Sequence, residues 1–294
     1  MMSGIIVIDK AQDYTSFDVV AVVRRLVGIK KVGHTGTLDP MATGVLPILV
    51  GSATKLAPYL VDTKKEYVAT MVLGRSTDTL DVTGTITEEM DASSISFTKE
   101  QIEAAMAPLR GDILQVPPMF SALKKDGKRL YDLARQGITL ELEPRPVTIY
   151  ELELLEYQHP IIRFRAVTSK GTYIRSLVRD LAENLGVPGT MSDLRRTLTG
   201  GFSIAQSVSL DELKKLDRAE IVDKMRQVEQ VLVHFKEHHL SDSYIHLLLN
   251  GVRLKDPAAV EGLENGMYRI KTHENKLIGL AEFKNQELVL NWRA

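Results

Sequence analysis

The segment between residues 31 and 48, KVGHTGTLDPMATGVLPI, carries residue types suited to chemistry. Its sole carboxylate is Asp39, and three glycines lie close to it: Gly33, Gly36 and Gly44. Pro40 restricts the residue before it to extended backbone, which predicts that Asp39 is presented on a loop. Glycines let a bulky ligand approach the backbone closely. A lone carboxylate in this setting could act as a covalent nucleophile or a general base, although a bare Asp-Pro pair is more typical of an ordinary turn.

Several other kinds of site are excluded by the sequence. There is no cysteine, so disulfides, thiolate zinc sites and a cysteine nucleophile are ruled out. The spacings G-x-x-x-x-G-K-[ST], G-x-G-x-x-G and G-x-S-x-G, typical of phosphate loops, dinucleotide folds and serine hydrolases, are also absent. His234 and His238 have the four-residue spacing of metal ligands on a helix, but the pattern H-E-x-x-H is missing. We expect a solvated helix face there, and no metal.

Positive charge is concentrated locally, although the net charge is only −1. Residues 21–31 hold four cations and residues 161–179 hold five, and neither stretch contains an acidic residue. Residues 76–105, by contrast, have a formal charge of −6. A basic face is the signature of a polyanion site, but uneven charge is also common on ordinary surfaces. Apolar runs are too short for a membrane span or a signal peptide, so we expect a cytoplasmic protein.

Periodicity predicts the elements that must position Asp39. An apolar run predicts a buried strand at 4–9, and alternation predicts strands at 66–73 and 147–168, the last with a turn at His159-Pro160. Helical spacing predicts one helix from the capping pair Thr15 and Asp18 to Gly28, and a second that ends at Gly186. β-rich runs predict a C-terminal meander at 267–272, 276–283 and 287–292. The mixture predicts an α+β protein with a small β module at its end.

Ordered blocks of the chain resemble the motifs of the TruB family, the tRNA pseudouridine-55 synthases. Around the Asp39 segment these blocks are GIIVIDKAQDYTSFDVVAVVRRLVG, KKEYVATMVLGRSTDTLDVTG, QVPPMFSALKKDGKRLYDLARQG, SKGTYIRSLVRDLAENLG and LRRTLTGGF. Together they cover roughly residues 4–203 in family order. The first block departs from the family's D-K-P-x-G-x-T-S, because Ala11 and Asp13 replace the proline and glycine that shape a turn.

The resemblance implies an enzyme that detaches one T-loop uridine base of tRNA, rotates it and rejoins it through carbon, without cofactor or metal. It implies the pseudouridine synthase fold, a central mixed and largely antiparallel sheet flanked by helices. Asp39 would be the catalytic carboxylate, Arg175 its ion-pair partner, and Tyr67 would stack on the flipped base. Without the resemblance, Arg175 is a surface cation at the unfavourable end of a helix dipole, and a strand tyrosine is more often core.

The resemblance also implies RNA contacts. Tyr173 and Leu194 would line the pocket, and His34 would fill the space that the flipped uridine leaves. An RNA-gripping insertion is expected at about 115–146, with the basic residues Lys124, Lys125, Lys128 and Arg129. Further phosphate contacts are expected from Lys30, Lys31, Arg195 and Arg196. Residues 1–238 would form the catalytic domain. Residues 239–294 resemble a PUA-like RNA-binding domain touching the acceptor side of tRNA, or form a stabilising extension without RNA contact.

Two other functions fit much of this pattern. One is a tRNA-binding folding helper whose catalysis is dispensable, and the other is a relative directed by a guide RNA. The presence of Asp39, Tyr67 and Arg175 together argues against lost catalysis. The compact chain argues against additional partner-binding segments. We therefore expect a monomer that binds tRNA and uses no guide RNA.

Overall fold

The computed structural model describes residues 3–61 and 64–294. Its strands are β1 (Gly4–Lys10), β2 (Val32–His34), β3 (Thr43–Val50), β4 (Lys65–Leu73), β5 (Arg75–Thr77), β6 (Ile86–Glu89), β7 (Gly111–Gln115), β8 (Lys124–Lys125), β9 (Lys128–Arg129), β10 (Arg145–Gln158), β11 (Ile161–Thr168), β12 (Gly189–Thr199), β13 (Phe202–Ser203), β14 (Val208–Ser209), β15 (Lys236–Leu240), β16 (Gly266–Thr272), β17 (Leu277–Lys284) and β18 (Glu287–Arg293). Its α-helices are α1 (Ser16–Val27), α2 (Ala57–Val61), α3 (Lys99–Met106), α4 (Leu130–Ala134), α5 (Ile174–Leu185), α6 (Leu210–Leu213), α7 (Arg218–Asp223), α8 (Val228–Val231), α9 (Asp242–Leu249) and α10 (Pro257–Val260). Short 3-10 helices lie at Gly51–Leu56, Ala92–Ser94, Ala107–Leu109 and Ile204–Gln206.

A large mixed sheet lies at the centre, with the strand order β14-β1-β3-β12-β4-β11-β10-β7. β2 pairs with β3, and β13 pairs with β12, beside this path. Two of the pairings, β1 with β14 and β3 with β12, are parallel. The other neighbours along the path run antiparallel. The predicted α+β fold with a largely antiparallel mixed sheet is therefore confirmed.

Helices cover one face of this sheet and enclose the main apolar core. α1 begins at the capping box of Thr15 and Asp18 and ends at Gly28, whose φ of 67° is left-handed, as the sequence predicts. α5 likewise ends at Gly186 with a φ of 70°. Residues of β1 alternate between the two faces, so that Ile6 and Ile8 join this core while their neighbours point to the other side.

A small β domain packs against the other face of the large sheet. β15 pairs in parallel with β16, and β16, β17 and β18 form the predicted meander. Trp292 of β18 shares a second apolar core with Ile5 and Val7 of β1, and its indole N–H donates to the carbonyl of Ser52 at 3.0 Å. The first strand of the small sheet starts at Lys236, so it spans the expected domain boundary after residue 238.

The expectation for His234 and His238 is wrong. His234 lies in a turn, whereas His238 belongs to β15 and places its Nε2 2.8 Å from the carbonyl oxygen of Ala259. A four-residue spacing is compatible with several backbone conformations, and here pairing with β16 decides that residues 236–240 are extended.

Gly44, the second residue of β3, lies against the backbone of Arg196 in β12. Its φ of +102° is unfavourable for other residues, and a Cβ there would overlap the Arg196 carbonyl group.

We expect Gly44→Ala to lower the unfolding free energy by about 3 kcal/mol or more, since strain and overlap add. Gly137→Ala is the matched control, because Gly137 has a φ of +74° with no atom within 4 Å of the added Cβ. Urea denaturation should show a loss of only about 1 kcal/mol there, and equal losses would contradict the steric explanation.

Candidate active site

Asp39 lies on a loop, residues 35–42, that connects β2 to β3 and is called the Asp39 loop below. The fully buried ammonium group of Lys10 binds this loop by donating to the carbonyl of Pro40 at 3.0 Å. The same ammonium donates to the carbonyls of Ala11 and Tyr14 at 2.9 and 2.7 Å. A lysine at the end of β1 therefore joins the segment at residues 11–14 to the Asp39 loop, through three carbonyl groups.

Two further buried side chains hold the Asp39 loop. The hydroxyl of Ser16, at the start of α1, donates to the carbonyl of Leu38 and accepts from its N–H at 2.9 Å. Arg196 is 1% exposed and donates to the carbonyls of Gly36 and Val45. The expectation that Arg196 contacts phosphate is wrong, because its guanidinium lies under the loop and not on the surface.

Arg175, in the first turn of α5, forms an ion pair with Asp39, its Nε lying 2.9 Å from Oδ2. Its two terminal nitrogens donate to the carbonyls of Thr79 and Phe120, both at 2.9 Å. The Arg175 side chain is 6% exposed, whereas that of Asp39 is 35% exposed. The guanidinium is thus buried with each of its three nitrogens bound, and the carboxylate that it orients remains open to an incoming ligand.

Asp81 is a second carboxylate at this guanidinium, and in the sequence it stands out only as one of several acidic residues between 76 and 105. It is 5% exposed, and its Oδ2 lies 3.8 Å from Arg175 Nε. Its Oδ1 accepts hydrogen bonds from the hydroxyl of Thr79 and from the N–H and hydroxyl of Thr83. The cluster of threonines around Asp81 in TDTLDVTG was the available signal, since buried carboxylates need such donors.

The residues expected to line the pocket lie on β4, on β12 and at the start of α5. Tyr67 of β4 is 7% exposed and belongs to the main apolar core together with Leu194 of β12. Tyr67 is paired with Arg196 and Ala69 with Leu194, so Tyr67 and Leu194 are diagonal neighbours on one face. Tyr173 is half-buried at the start of α5, and burial raises the pKa of its phenol.

His34 ends β2, at the entrance to the Asp39 loop. Its Nδ1 accepts a hydrogen bond from the N–H of Gly36 at 3.2 Å, which leaves Nε2 as the donor in the neutral ring. Burial lowers the pKa of His34, and the nearby Arg196 charge lowers it further. A neutral, partly buried histidine at this position is suited to fill a gap between stacked bases.

The expected phosphate contacts are divided between two places. Lys30 and Lys31 are exposed between α1 and β2. Lys124, Lys128 and Arg129 are exposed on the β8–β9 hairpin, beside a groove of about 670 Å³. Arg195 is instead engaged, with its guanidinium 2.7 Å from the Asp9 carboxylate and also bound to the hydroxyl of Thr43.

The hairpin belongs to an insertion, residues 116–144, between the paired strands β7 and β10. α5 holds the base of this insertion. Gln115 exchanges two hydrogen bonds with the backbone of Tyr173, and the side chains of Ser176 and Arg179 both donate to the carbonyl of Val116. The helix that carries Arg175 therefore also fixes where the insertion leaves the sheet.

Within residues 3–61 and 64–294, no group of three histidine, aspartate or glutamate side chains could hold a metal ion. Over the same part of the chain, no helix is long and apolar enough to cross a membrane.

Comparison with known sequences agrees with this site. A model of the TruB family pseudouridylate synthase N-terminal domain matches residues 24–174, and one of the tRNA pseudouridylate synthase B C-terminal domain matches residues 175–249. A tRNA pseudouridine synthase B of Clostridium novyi is 44% identical over 280 residues, covering 95% of each chain. That of Geobacillus thermodenitrificans is 42% identical, covering 95% of this chain and 94% of its own. The chain therefore belongs to the TruB family of pseudouridylate synthases.

Solved structures show the same fold. The chain is similar to one in a Cbf5–Nop10–Gar1 complex, with a TM-score of 0.72 and 27% identity over 96% of this chain and 78% of that one. It is also similar to one in an H/ACA ribonucleoprotein bound to a substrate RNA, with a TM-score of 0.70 and 25% identity, covering 99% and 84% of the two chains.

Burial of Lys10 predicts a pH dependence of stability. Burial lowers the pKa of Lys10 from 10.5 to about 8, against the opposing charge of Asp39. Between these pH values the unfolded chain binds a proton that the folded chain does not, so the unfolding free energy rises with pH. Lys10→Met removes this group. The difference in unfolding free energy between wild type and Lys10→Met should therefore grow by roughly 2 kcal/mol in favour of wild type from pH 8 to about pH 10.

Urea denaturation at several pH values measures this difference. Lys55→Met, which removes an exposed lysine, is the control and should run parallel to wild type. Parallel curves for wild type and Lys10→Met would show that Lys10 keeps its ordinary proton affinity in the folded protein.

Proposed function

We propose that this protein is a tRNA pseudouridine synthase that converts uridine 55 of the T-loop to pseudouridine, with Asp39 as its catalytic carboxylate. One observation carries the proposal: Asp39 is ion-paired with the buried Arg175 and stays 35% exposed at the site where the family motif lies. The relatives named tRNA pseudouridine synthase B support the substrate class. A tRNA-modifying enzyme works where tRNA is, so the proposal implies the cytoplasm.

The reaction breaks the bond between ribose C1′ and uracil N1 and forms a bond between C1′ and C5. The hydrogen of C5 is released as a proton and N1 takes up a proton from solvent, so the product is an isomer of the substrate. Asp39 acts at C1′, and Arg175 fixes the direction of its carboxylate. Asp81, held by hydrogen bonds from Thr83, adds a second carboxylate near the same Nε of Arg175. No step requires a cofactor or a metal ion.

The target base must leave its stack to expose C1′, at a cost of a few kcal/mol. Tyr67, Tyr173 and Leu194 provide an aromatic and apolar surface for the flipped base, and His34 fills the space that it leaves. Stacking on aromatic side chains is the usual way that proteins hold unstacked RNA bases.

The remaining contacts are to the tRNA backbone. The exposed cations of the β8–β9 hairpin hold the T-arm, and Lys30 and Lys31 add contacts beside α1. The small β domain acts as a PUA-like domain toward the acceptor side. Specificity for tRNA then follows from the shape of the T-arm, which requires no guide RNA.

The test is release of tritium from tRNA labelled at uridine C5, without any guide RNA. Wild type should release about one equivalent per tRNA. Asp39→Asn should lower the rate at least about 1,000-fold, because the amide cannot act as a nucleophile or base, while tRNA binding survives. Asp193→Asn changes an exposed carboxylate of β12 and should retain full activity.

Two results would count against the proposal. Full activity of Asp39→Asn would remove Asp39 from the chemistry. Binding of tRNA by wild type without tritium release would favour the folding helper over the enzyme.

The hairpin contacts predict a salt effect. Lys128→Glu should weaken tRNA binding about 10-fold and reduce the slope of log Kd against log salt concentration by about 1, since a phosphate contact is lost. Lys99→Glu makes the same charge change on the exposed surface of α3 and should leave both quantities unchanged. An unchanged slope for Lys128→Glu would place the insertion outside the RNA interface. Filter binding over a series of salt concentrations gives both values.

A further inference from the structure

An aromatic ring with no place in the apolar core stands at the rim of the site. Phe17, the second residue of α1, is 72% exposed. Burying a phenylalanine side chain is ordinarily favourable by a few kcal/mol, so an exposed ring beside a functional loop calls for an explanation.

The position of Phe17 is fixed relative to Asp39. The preceding residue, Ser16, exchanges two hydrogen bonds with the backbone of Leu38, directly before Asp39. The ring of Phe17 also meets that of His34 edge to face, with the centroids 5.7 Å apart. Phe17 therefore stands beside the residue expected to enter the RNA loop, and it is held there by the backbone of the site itself.

The surface around Phe17 is suited to RNA. The only acidic side chain in the first turn of α1, Asp18, accepts hydrogen bonds from the N–H and hydroxyl of Thr15 and is engaged in the helix cap. One and two turns further along the helix, Ala21 and Arg24 are exposed on the same side as Phe17. Seven residues of helix span about 10 Å, so this face presents an aromatic ring at the site and a cation away from it.

We propose that Phe17 is an RNA-binding residue, whose ring stacks on an unpaired nucleobase of the tRNA loop next to the target uridine. This inference rests on the proposed function and extends it to a contact outside the pocket. Stacking suits an exposed ring because every base offers an aromatic face, and a loop offers bases that are not paired. The contact adds affinity without adding a phosphate contact.

Fluorescence gives a direct test, because the sequence has one tryptophan, Trp292, which is 2% exposed in the small domain. Phe17→Trp places an exposed indole at the proposed contact. Its emission should be quenched by at least about half when tRNA saturates the protein, and its Kd should stay within about 3-fold of wild type. Val233→Trp, at a residue that is 63% exposed, is the control and should show no quenching beyond that of wild type.

Binding measurements separate stacking from packing against His34. Phe17→Ala and Phe17→Leu should both weaken tRNA binding about 10-fold, because a stacking contact is lost. The slope of log Kd against log salt concentration should not change, because every phosphate contact is kept. If Phe17 only supports His34, Phe17→Leu should bind like wild type, and the proposal is then wrong.

The proposal also fails if Phe17→Trp emission does not change with tRNA, or if it changes with protein concentration alone, as contact with a second copy would require. Tritium release by wild type is measured in parallel. If wild type releases tritium and Phe17→Ala binds tRNA normally, only the Phe17 contact is overturned. If wild type releases no tritium, the proposed function is overturned.

Discussion

The buried guanidinium of Arg175 is the interaction on which the site depends. A cation with so little exposure is stable only when its donors are matched, and its three nitrogens are matched by three different segments of the chain. These are the Asp39 loop, the turn at Thr79 and the start of the insertion at Phe120. Loss of any one would leave a buried charge partly unsatisfied. The same side chain therefore orients Asp39 and ties the insertion to it.

The Asp39 loop needs this support because little else in its sequence would hold one conformation. Gly36 widens the range of backbone angles there, and residues 35–42 belong to no strand or helix. Lys10 and Arg196 compensate by binding its carbonyl groups from below, at Pro40 and Gly36. Burying two cations is costly, which is consistent with the lowered pKa of Lys10. In return, the two buried cations fix the position of the loop that carries the Asp39 carboxylate.

The local elements were predictable from the sequence because their signals are local. The capping box at Thr15, the left-handed residues at Gly28 and Gly186, and the C-terminal meander each depend on neighbouring residues. The supports of the site were not predictable, because they join residues that are distant along the chain. Arg196 lies 160 residues from Gly36, and Lys10 lies 30 from Pro40. The pairing of Arg175 with Asp39 came from a family resemblance, and the same resemblance did not single out Asp81.

Counting charges along the chain also overstates the surface available to RNA. The stretch 161–179 has five cations and no acid, yet Arg165 lies among Glu66, Glu151 and Glu153 on the sheet. Arg179 pairs with Asp180. Such cations are already neutralised by the fold, and binding a phosphate would first require breaking these pairs.

On the proposed function, the electrostatic contribution to RNA binding comes from cations that protrude, chiefly those of the β8–β9 hairpin and of the segment after α1. A small number of such contacts gives a modest dependence on salt, because each phosphate neutralised releases its own counterions. The proposed function therefore also requires affinity from contacts that salt does not weaken, such as aromatic stacking and the fit of a flipped base. On the proposed function, an RNA interface relies on few cations, because buried arginines such as Arg175 and Arg196 are already bound within the fold.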